Sequence, residues 1–372
     1  MLPRAEEAFR FASDVCASPA SAASRWKALS GRKAAGCLPL YLPEEVVHAA
    51  GMLPVTVWGN EYPPGFRGTA GSPSACPVSA GIAGAVRSGL WACLDAWACP
   101  STCEPLLHAF EGLFPAPGSP PAFSFVFPGG PVDAPAREEL LDRVEAFREW
   151  AGEASGRGVS EGALERSVRT YNENRRAFFL LEERMADAPG WISGKEYHAL
   201  AGAGMAIPKE VHTRVLRAAV SRTGAAPAMS RAKVFLCGAM ATFPLMSALD
   251  GSRAAIVGND LALGRRYYEE FADESGDMSV SLVRRHFRRD PCPTLHGGGR
   301  RRLDHLLGRV AACGADRVVF LRVPWCEPDS GGMAEAAFRE RGIPFLLVDV
   351  DLHEANRTPA AARIEGFVET GE

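Results

Sequence analysis

Val318-Val319-Phe320-Leu321-Arg322-Val323-Pro324-Trp325-Cys326-Glu327-Pro328 reads as a buried strand running into a turn and then a helix start. Leu94-Asp95-Ala96-Trp97-Ala98, followed a few residues later by Cys103-Glu104-Pro105, repeats the pattern. Two cysteines therefore stand at equivalent strand-to-helix turns of two similar halves. Open α/β sheets place ligands in the crevice beyond the carboxyl ends of their strands, and a helix N-terminus favours a thiolate. Two such thiolates converging from two lobes would suit a metal centre.

The same grammar extends outward from each turn. In the first half, after two N-terminal helical stretches, Lys33 to Leu38 reads as a strand and Pro43 to Ala50 as a helix. Leu53 to Trp58 follows as a strand ending in Gly59-Asn60-Glu61. In the second half, Lys233 to Cys237 is a strand, Phe243 to Leu249 a helix, and Ala254 to Val257 a strand ending in Gly258-Asn259-Asp260. Each half closes on a last strand, Phe123 to Phe127 and Phe345 to Val350. Strands alternating with helices imply parallel sheets covered on both faces. The fold expected is α/β, with two pseudo-equivalent Rossmann-like lobes, residues 1–134 and 228–372. A helical layer and linker, residues 135–227, joins them. Within that layer Pro135 to Trp150 and Glu161 to Met185 carry helical spacing, with Gly152 to Gly158 as a break. Gly59 to Gly258 is 199 positions and Cys103 to Cys326 is 223, so the second lobe carries a longer connection, for which Asp277 to Arg302 is the candidate.

At 372 residues the chain is long enough for two or three domains with sizeable cores. A formal charge of -3 argues against a nucleic-acid binder, and no apolar stretch approaches a membrane span. The opening Met1-Leu2-Pro3-Arg4 lacks the apolar core of a signal peptide, so a cytoplasmic location is expected. Ten cysteines in a reducing compartment are then metal ligands, redox groups or small buried apolar residues, not a disulfide framework.

A cysteine at a strand end commonly only packs, but repetition raises the claim of Cys103 and Cys326 to be ligands. Cys76, in Ser74-Ala75-Cys76-Pro77, also faces a helix start. Three thiolates fit a cubane iron-sulfur cluster with one iron left open. The spacing differs from the close pairs of zinc knuckles and ferredoxins, although Cys99 and Cys103 form a loose C-x3-C. Cys16, Cys37, Cys93, Cys237 and Cys313 read as core or helix-face residues, and Cys99 and Cys292 are left without a role. Arg284-Arg285-His286-Phe287-Arg288-Arg289, with Arg300 to Arg302 nearby, would suit the phosphates of a coenzyme A tail, but a solvated helix face is the preferred reading. Gly297-Gly298-Gly299 lacks the Lys-Ser/Thr of a P-loop, so the chain is not expected to hydrolyse ATP. His48, His108 and His353 fall in no catalytic motif.

The run Leu40-Tyr41-Leu42-Pro43-Glu44-Glu45-Val46-Val47-His48-Ala49-Ala50-Gly51-Met52-Leu53-Pro54-Val55 resembles the opening of 2-hydroxyacyl-CoA dehydratase and benzoyl-CoA reductase catalytic subunits. So do Tyr171-Asn172-Glu173-Asn174-Arg175-Arg176, Ala203-Gly204-Met205-Ala206-Ile207-Pro208, Pro291-Cys292-Pro293 and Trp325-Cys326-Glu327-Pro328. The layout is similar over nearly the whole chain and nearest to the smaller catalytic subunit of ATP-dependent benzoyl-CoA reductases. The resemblance implies a 4Fe-4S cluster held by Cys76, Cys103 and Cys326. It also implies a homologous second catalytic subunit or a self-dimer, an ATP-hydrolysing iron-sulfur activator protein that injects a low-potential electron, and an acyl-CoA or aroyl-CoA substrate. Family members often carry an arginine a few positions after the first cysteine. Here Cys76 is followed by Pro77-Val78-Ser79-Ala80-Gly81, and the first arginine is Arg87, which points to a different substrate.

Three functions remain in view: a catalytic subunit for radical reduction or dehydration of an acyl-CoA, a partner subunit that only carries a cluster or relays electrons, and a metal-free two-lobed small-molecule binding protein.

Overall fold

The computed structural model describes residues 4–59, 76–114, 118–129, 133–223, 232–289, 299–326, 331–352 and 359–371. The first lobe is a parallel sheet of β1 (Ala34–Cys37), β2 (Leu53–Thr56), β3 (Ala96–Pro100) and β4 (Ala122–Phe125) in the order β2-β1-β3-β4. The second is a parallel sheet of β5 (Ala232–Gly238), β6 (Ala254–Leu261), β7 (Arg317–Arg322) and β8 (Phe345–Asp349) in the order β6-β5-β7-β8. The two orders are the same, and the expected pair of α/β lobes is the observed fold.

Helices α1 (Ala5–Ala17), α2 (Pro19–Ser30), α3 (Glu44–Ala49), α4 (Pro77–Arg87) and α5 (Glu104–Glu111) belong to the first half. The middle layer is α6 (Ala134–Ser155), α7 (Glu161–Asp187), α8 (Gly194–Ala203) and α9 (Lys209–Val220). The second lobe carries α10 (Phe243–Gly251), α11 (Arg265–Tyr268), α12 (Met278–Arg288), α13 (Arg300–Ala312), α14 (Gly331–Arg339) and α15 (Pro359–Thr370). Local chemistry starts the middle helices. Asp133 caps α6 by accepting from the Ala136 amide, Ser160 caps α7 by accepting from the Ala163 amide, and Ser193 with Glu196 forms a reciprocal capping box on α8. No helix among the described residues is long and apolar enough to cross a membrane.

Strand alternation distributes the core. Val234 and Leu236 face the large core shared with the rest of the chain, whereas Phe235 and Cys237 face a smaller cluster with Val310, Phe320 and Phe338 under α13 and α14. The 27-residue α7 packs against α3, α9 and β6, and so ties the first lobe to the second.

Two expectations need correction. The Gly-Asn pairs are not equivalent positions. Cys37 stands opposite Thr56 and Cys237 opposite Asp260, so Gly59 lies beyond its strand while Gly258-Asn259 lies inside the eight-residue β6. A register shift between Val234 and Phe235 places β6 in that alignment, and Asn259 anchors it by donating to Glu182 Oε1 at 2.9 Å. The break at Gly152 is also displaced, because α6 runs on to Ser155 and stops only where Gly156 takes a φ of 77°. Residues 60–61, 224–231, 290–298, 327–330 and 353–358 lie outside the described set. With them lie the rest of the first Gly-Asn-Glu turn, most of the linker, Cys292, two glycines of the triplet, the second Glu-Pro and His353.

Candidate active site

In each lobe the strand order reverses between the first strand and the third, which leaves a crevice at their carboxyl ends. The two crevices open onto one cavity. Pro39 and Leu40 line it from beyond β1, Thr102 and Cys103 from beyond β3, Ala239 and Met240 from beyond β5, and Cys326 from beyond β7. Cys76, Val78 and Ser79 complete it from the start of α4. Cys103, Cys326 and Cys76, drawn from three distant segments, thus line the same cavity.

Cys76 and Cys103 occupy the residue immediately before α4 and α5, where backbone N–H groups have no partner within the helix. The Cys76 thiol is lowered to about 6, first by its hydrogen bond with Cys326, then, against the opposing effect of burial, by Ser79 and Val78 N–H groups and the Ser79 hydroxyl. Cys99 behaves oppositely. It lies inside β3, and burial pushes its thiol up, with Cys103 and Glu111 adding to the effect. Cys37 and Cys237 are buried strand residues, while Cys16 and Cys313 stand against Gly202 and Gly258. The remaining cavity wall is largely apolar, except for Arg266, which is 3 % exposed and donates to the carbonyls of Gly238 and Asp260. Asp260 is held well below the usual carboxylate range: burial would raise it, but Arg302, His305 and Arg266 outweigh that.

Among the described residues no three His, Cys, Asp or Glu side chains converge tightly enough to hold a single metal ion. A cubane presents its irons at separate corners and asks its thiolates to surround it, not to meet at a point. Three thiols on a half-open, mainly apolar cavity, with Arg266 in its wall, fit such a cluster in donor chemistry.

A second, polar chamber shares the Pro39–Leu40 wall. There Glu44 accepts from the Thr56 hydroxyl at 2.8 Å and the Tyr267 hydroxyl at 2.6 Å, with Lys209 Nζ at 3.6 Å. Glu45 is paired with Arg175, and with Arg285 at 3.7 Å. Burial pushes the Tyr171 and Tyr267 phenols well up, with Glu44 adding to it, so both stay protonated donors. Burial lowers His212, just behind, to about 3, with the Lys209 charge adding to it, and the ring is neutral.

The sequence reading assigned none of these residues a role. The signal was nonetheless present, since Glu44 and Glu45, Tyr171 and Arg175, and Lys209 beside Pro208 sit in or next to three of the motifs quoted above. The basic segment is not a uniformly solvated face: Arg284 and Arg288 pair with Asp273 at the surface, while Arg285 and Arg289 are buried along the chamber. His48 contacts Ser167 and Glu210 at 2.8 and 3.2 Å and lines neither cavity, and His108 is exposed.

Facing α/β lobes with one cavity at their strand ends define a class of two-lobed α/β enzyme subunits, and the comparisons with known proteins agree. The family described as 2-hydroxyglutaryl-CoA dehydratase, D-component, matches residues 39–370, and the chain belongs to it. It is 26 % identical over 371 residues to the lactoyl-CoA dehydratase subunit beta of Anaerotignum propionicum, covering 96 % of each chain. It is 24 % identical over 362 residues to the (R)-phenyllactyl-CoA dehydratase beta subunit of Clostridium sporogenes, again covering 96 % of each. Identity to a benzoyl-CoA reductase subunit of Thauera aromatica is 25 % over 328 residues, covering 83 % of this chain and 82 % of that one.

Proposed function

We propose that this chain is the iron-sulfur catalytic subunit of an ATP-dependent radical acyl-CoA enzyme, of the 2-hydroxyacyl-CoA dehydratase or benzoyl-CoA reductase type. The observation that carries this is the meeting of Cys76, Cys103 and Cys326 on one cavity at the facing strand ends. These thiolates would hold a 4Fe-4S cluster, which supplies one-electron chemistry at an iron left without a cysteine ligand. Apolar residues such as Leu40, Trp58, Val78 and Leu106 exclude water from the reacting thioester, and Arg266 offsets the negative charge of the thiolates. Dehydration and ring reduction both move protons as well as electrons, and Glu44 with Lys209 is a buried acid–base pair in the adjoining chamber, which meets the cavity at Pro39 and Leu40. Reducing a thioester or an aromatic ring requires an unusually reducing electron, and the sequence has no P-loop. The drive therefore comes from a separate ATP-hydrolysing iron-sulfur activator, and a homologous second subunit, or a second copy, completes the enzyme.

Anaerobically purified chain should carry about four irons, the cubane stoichiometry. Cys103→Ala or Cys326→Ala should lose most of them, and Cys16→Ala or Cys313→Ala none. Iron analysis showing full occupancy in all four variants refutes the ligand set. Turnover of benzoyl-CoA or 2-hydroxyacyl-CoA compounds should appear only with partner, activator, ATP and strong reductant together, so turnover by this chain alone without ATP refutes the reading.

A further inference from the structure

Among the described residues that line the cysteine cavity, Arg266 is the one Asp, Glu, Lys or Arg. It is buried and firmly held. Its Nε donates to the Asp260 carbonyl at 3.1 Å, and an Nη donates to the Gly238 carbonyl at the end of β5. The Asp260 carboxylate lies 3.6 Å from the same Nε, but that carboxylate is also paired with Arg302, and with His305 at 3.2 Å. The other residues of the short helix α11 are fastened too. Arg265 pairs with Glu182 of α7 at 2.7 Å, while Tyr267 donates to Glu44 of α3 and Tyr268 to the Ala201 carbonyl of α8, each at 2.6 Å. The guanidinium is therefore fixed at one place in the wall.

A guanidinium keeps its proton throughout the pH range of a folded protein, so this charge does not switch off. In a wall built mainly of apolar side chains it is weakly screened by water and salt. An electron arriving in the cavity adds one negative charge there, and a fixed cation stabilises the reduced form more than the oxidised one. Net charge and hydrogen bonding are what set the potential of a thiolate-bound cluster. Because Arg266 is already anchored to Gly238 and Asp260, it need not rearrange when the electron arrives. Replacing it compares two proteins that share every other charge, so the sign of the effect does not depend on the rest of the site.

We propose that Arg266 is a positioning residue for electron uptake: its fixed guanidinium raises the reduction potential of the cluster held by Cys76, Cys103 and Cys326, and the Asp260 carboxylate beside it limits that rise. The inference rests on the cluster reading of the cavity given above.

The test is iron analysis, thermal denaturation and a redox titration followed by electron paramagnetic resonance, all on the anaerobically loaded full chain. At a given potential Arg266→Gln should shift the balance at least about tenfold toward the oxidised form, which lowers the midpoint by about 59 mV or more for one electron. Arg266→Lys keeps the charge, and its midpoint should stay nearer to the parent than that of the glutamine variant. Asp260→Asn removes a negative charge and should move the midpoint upward. Arg184→Gln is the structural control, because Arg184 also donates to two backbone carbonyls, those of Val220 and Arg222, and lines neither cavity. Its loss should lower the melting temperature and leave the midpoint in place. The Arg266→Gln shift should persist from low to high salt, as a buried charge requires. Equal midpoints in parent and Arg266→Gln, a lysine variant displaced as far as the glutamine one, or an equal shift in Arg184→Gln each overturns the proposal. If the glutamine variant fails to fold or to load iron, Asp260→Asn decides: a midpoint above the parent's supports the proposal, and one at or below it overturns it. A parent chain that takes up no iron removes the cluster reading and this inference with it. A parent that loads about four irons while the midpoints coincide removes this inference alone.

Discussion

Glu45 is 1 % exposed, yet it is ionised. Burial alone would raise its carboxyl, but the Arg175 and Arg285 charges outweigh burial and bring it from 4.5 to about 2. A folded-state value below the unfolded one means that the group stabilises the fold above its unfolded pKa, and that this stability is lost as pH falls through the folded value. The window is therefore about pH 5 down to about 2, and the size is about 3 kcal/mol. Glu45→Gln leaves two buried arginines without their counter-charge, and should cost about 3–5 kcal/mol at neutral pH. Urea unfolding at stepped pH should show a steep loss of stability in the parent across that window and a flatter profile in the variant. Equal acid sensitivity in the two would show that Glu45 is not the group responsible.

Helix α4 is positioned by a backbone contact between two glycines. A Cβ on Gly81 would overlap the Gly59 carbonyl oxygen, and one on Gly59, whose φ is 75°, would stand 2.7 Å from the Val78 carbonyl oxygen. Because Cys76 is the residue that starts this helix, the contact also sets the position of a proposed ligand. Gly81→Ala should push α4 away from the β2 end, destabilise the chain by about 1–3 kcal/mol and lower its retained iron. Gly308, in α13, has nothing within 4 Å of an added Cβ. Gly308→Ala should instead stabilise by about 0.5–1 kcal/mol and leave iron unchanged. Iron content and melting temperature, measured together on both variants, separate a displaced ligand from a general loss of packing.

The whole molecule shares one main core, which runs from Ala8 in α1 through Phe178 in α7 to Val368 in α15. Cross-lobe polar links reinforce it: Tyr267 of the second lobe donates to Glu44 of the first, and Trp58 Nε1 lies 3.1 Å from Met205 Sδ in the middle layer. Lobes bound in this way should not unfold independently. Six of the seven tryptophans precede residue 200, and only Trp325 belongs to the second lobe. Tryptophan fluorescence therefore reports mainly the first lobe and middle layer, whereas far-ultraviolet circular dichroism reports every helix. The two urea transitions should coincide, and separated midpoints would show that the lobes melt apart.

Two parallel lobes, and the turns that carry Cys103 and Cys326, were legible in the amino-acid sequence because they depend on local rules. Short apolar runs make buried strands, the acidic residue and proline after Cys103 start α5, and strand-end turns gather at one edge of a parallel sheet. What sequence could not reveal is where distant polar side chains converge. Glu44, Tyr171, Lys209, Tyr267 and Arg289 come from five separate segments, and nothing in their spacing marks them as neighbours. Even the Gly-Asn repeat misled, because β2 ends at Thr56, before Gly59, whereas β6 runs on through Gly258 and Asn259 to Leu261. Arg289 shows the difference most clearly: beside Arg288 it reads as one more surface cation, and only packing against Tyr41 at the Pro39–Leu40 wall makes it a buried charge. Periodicity determines which face of an element is apolar, but the electrostatics of a buried site depend on which elements meet there, and that was decided by the tertiary structure.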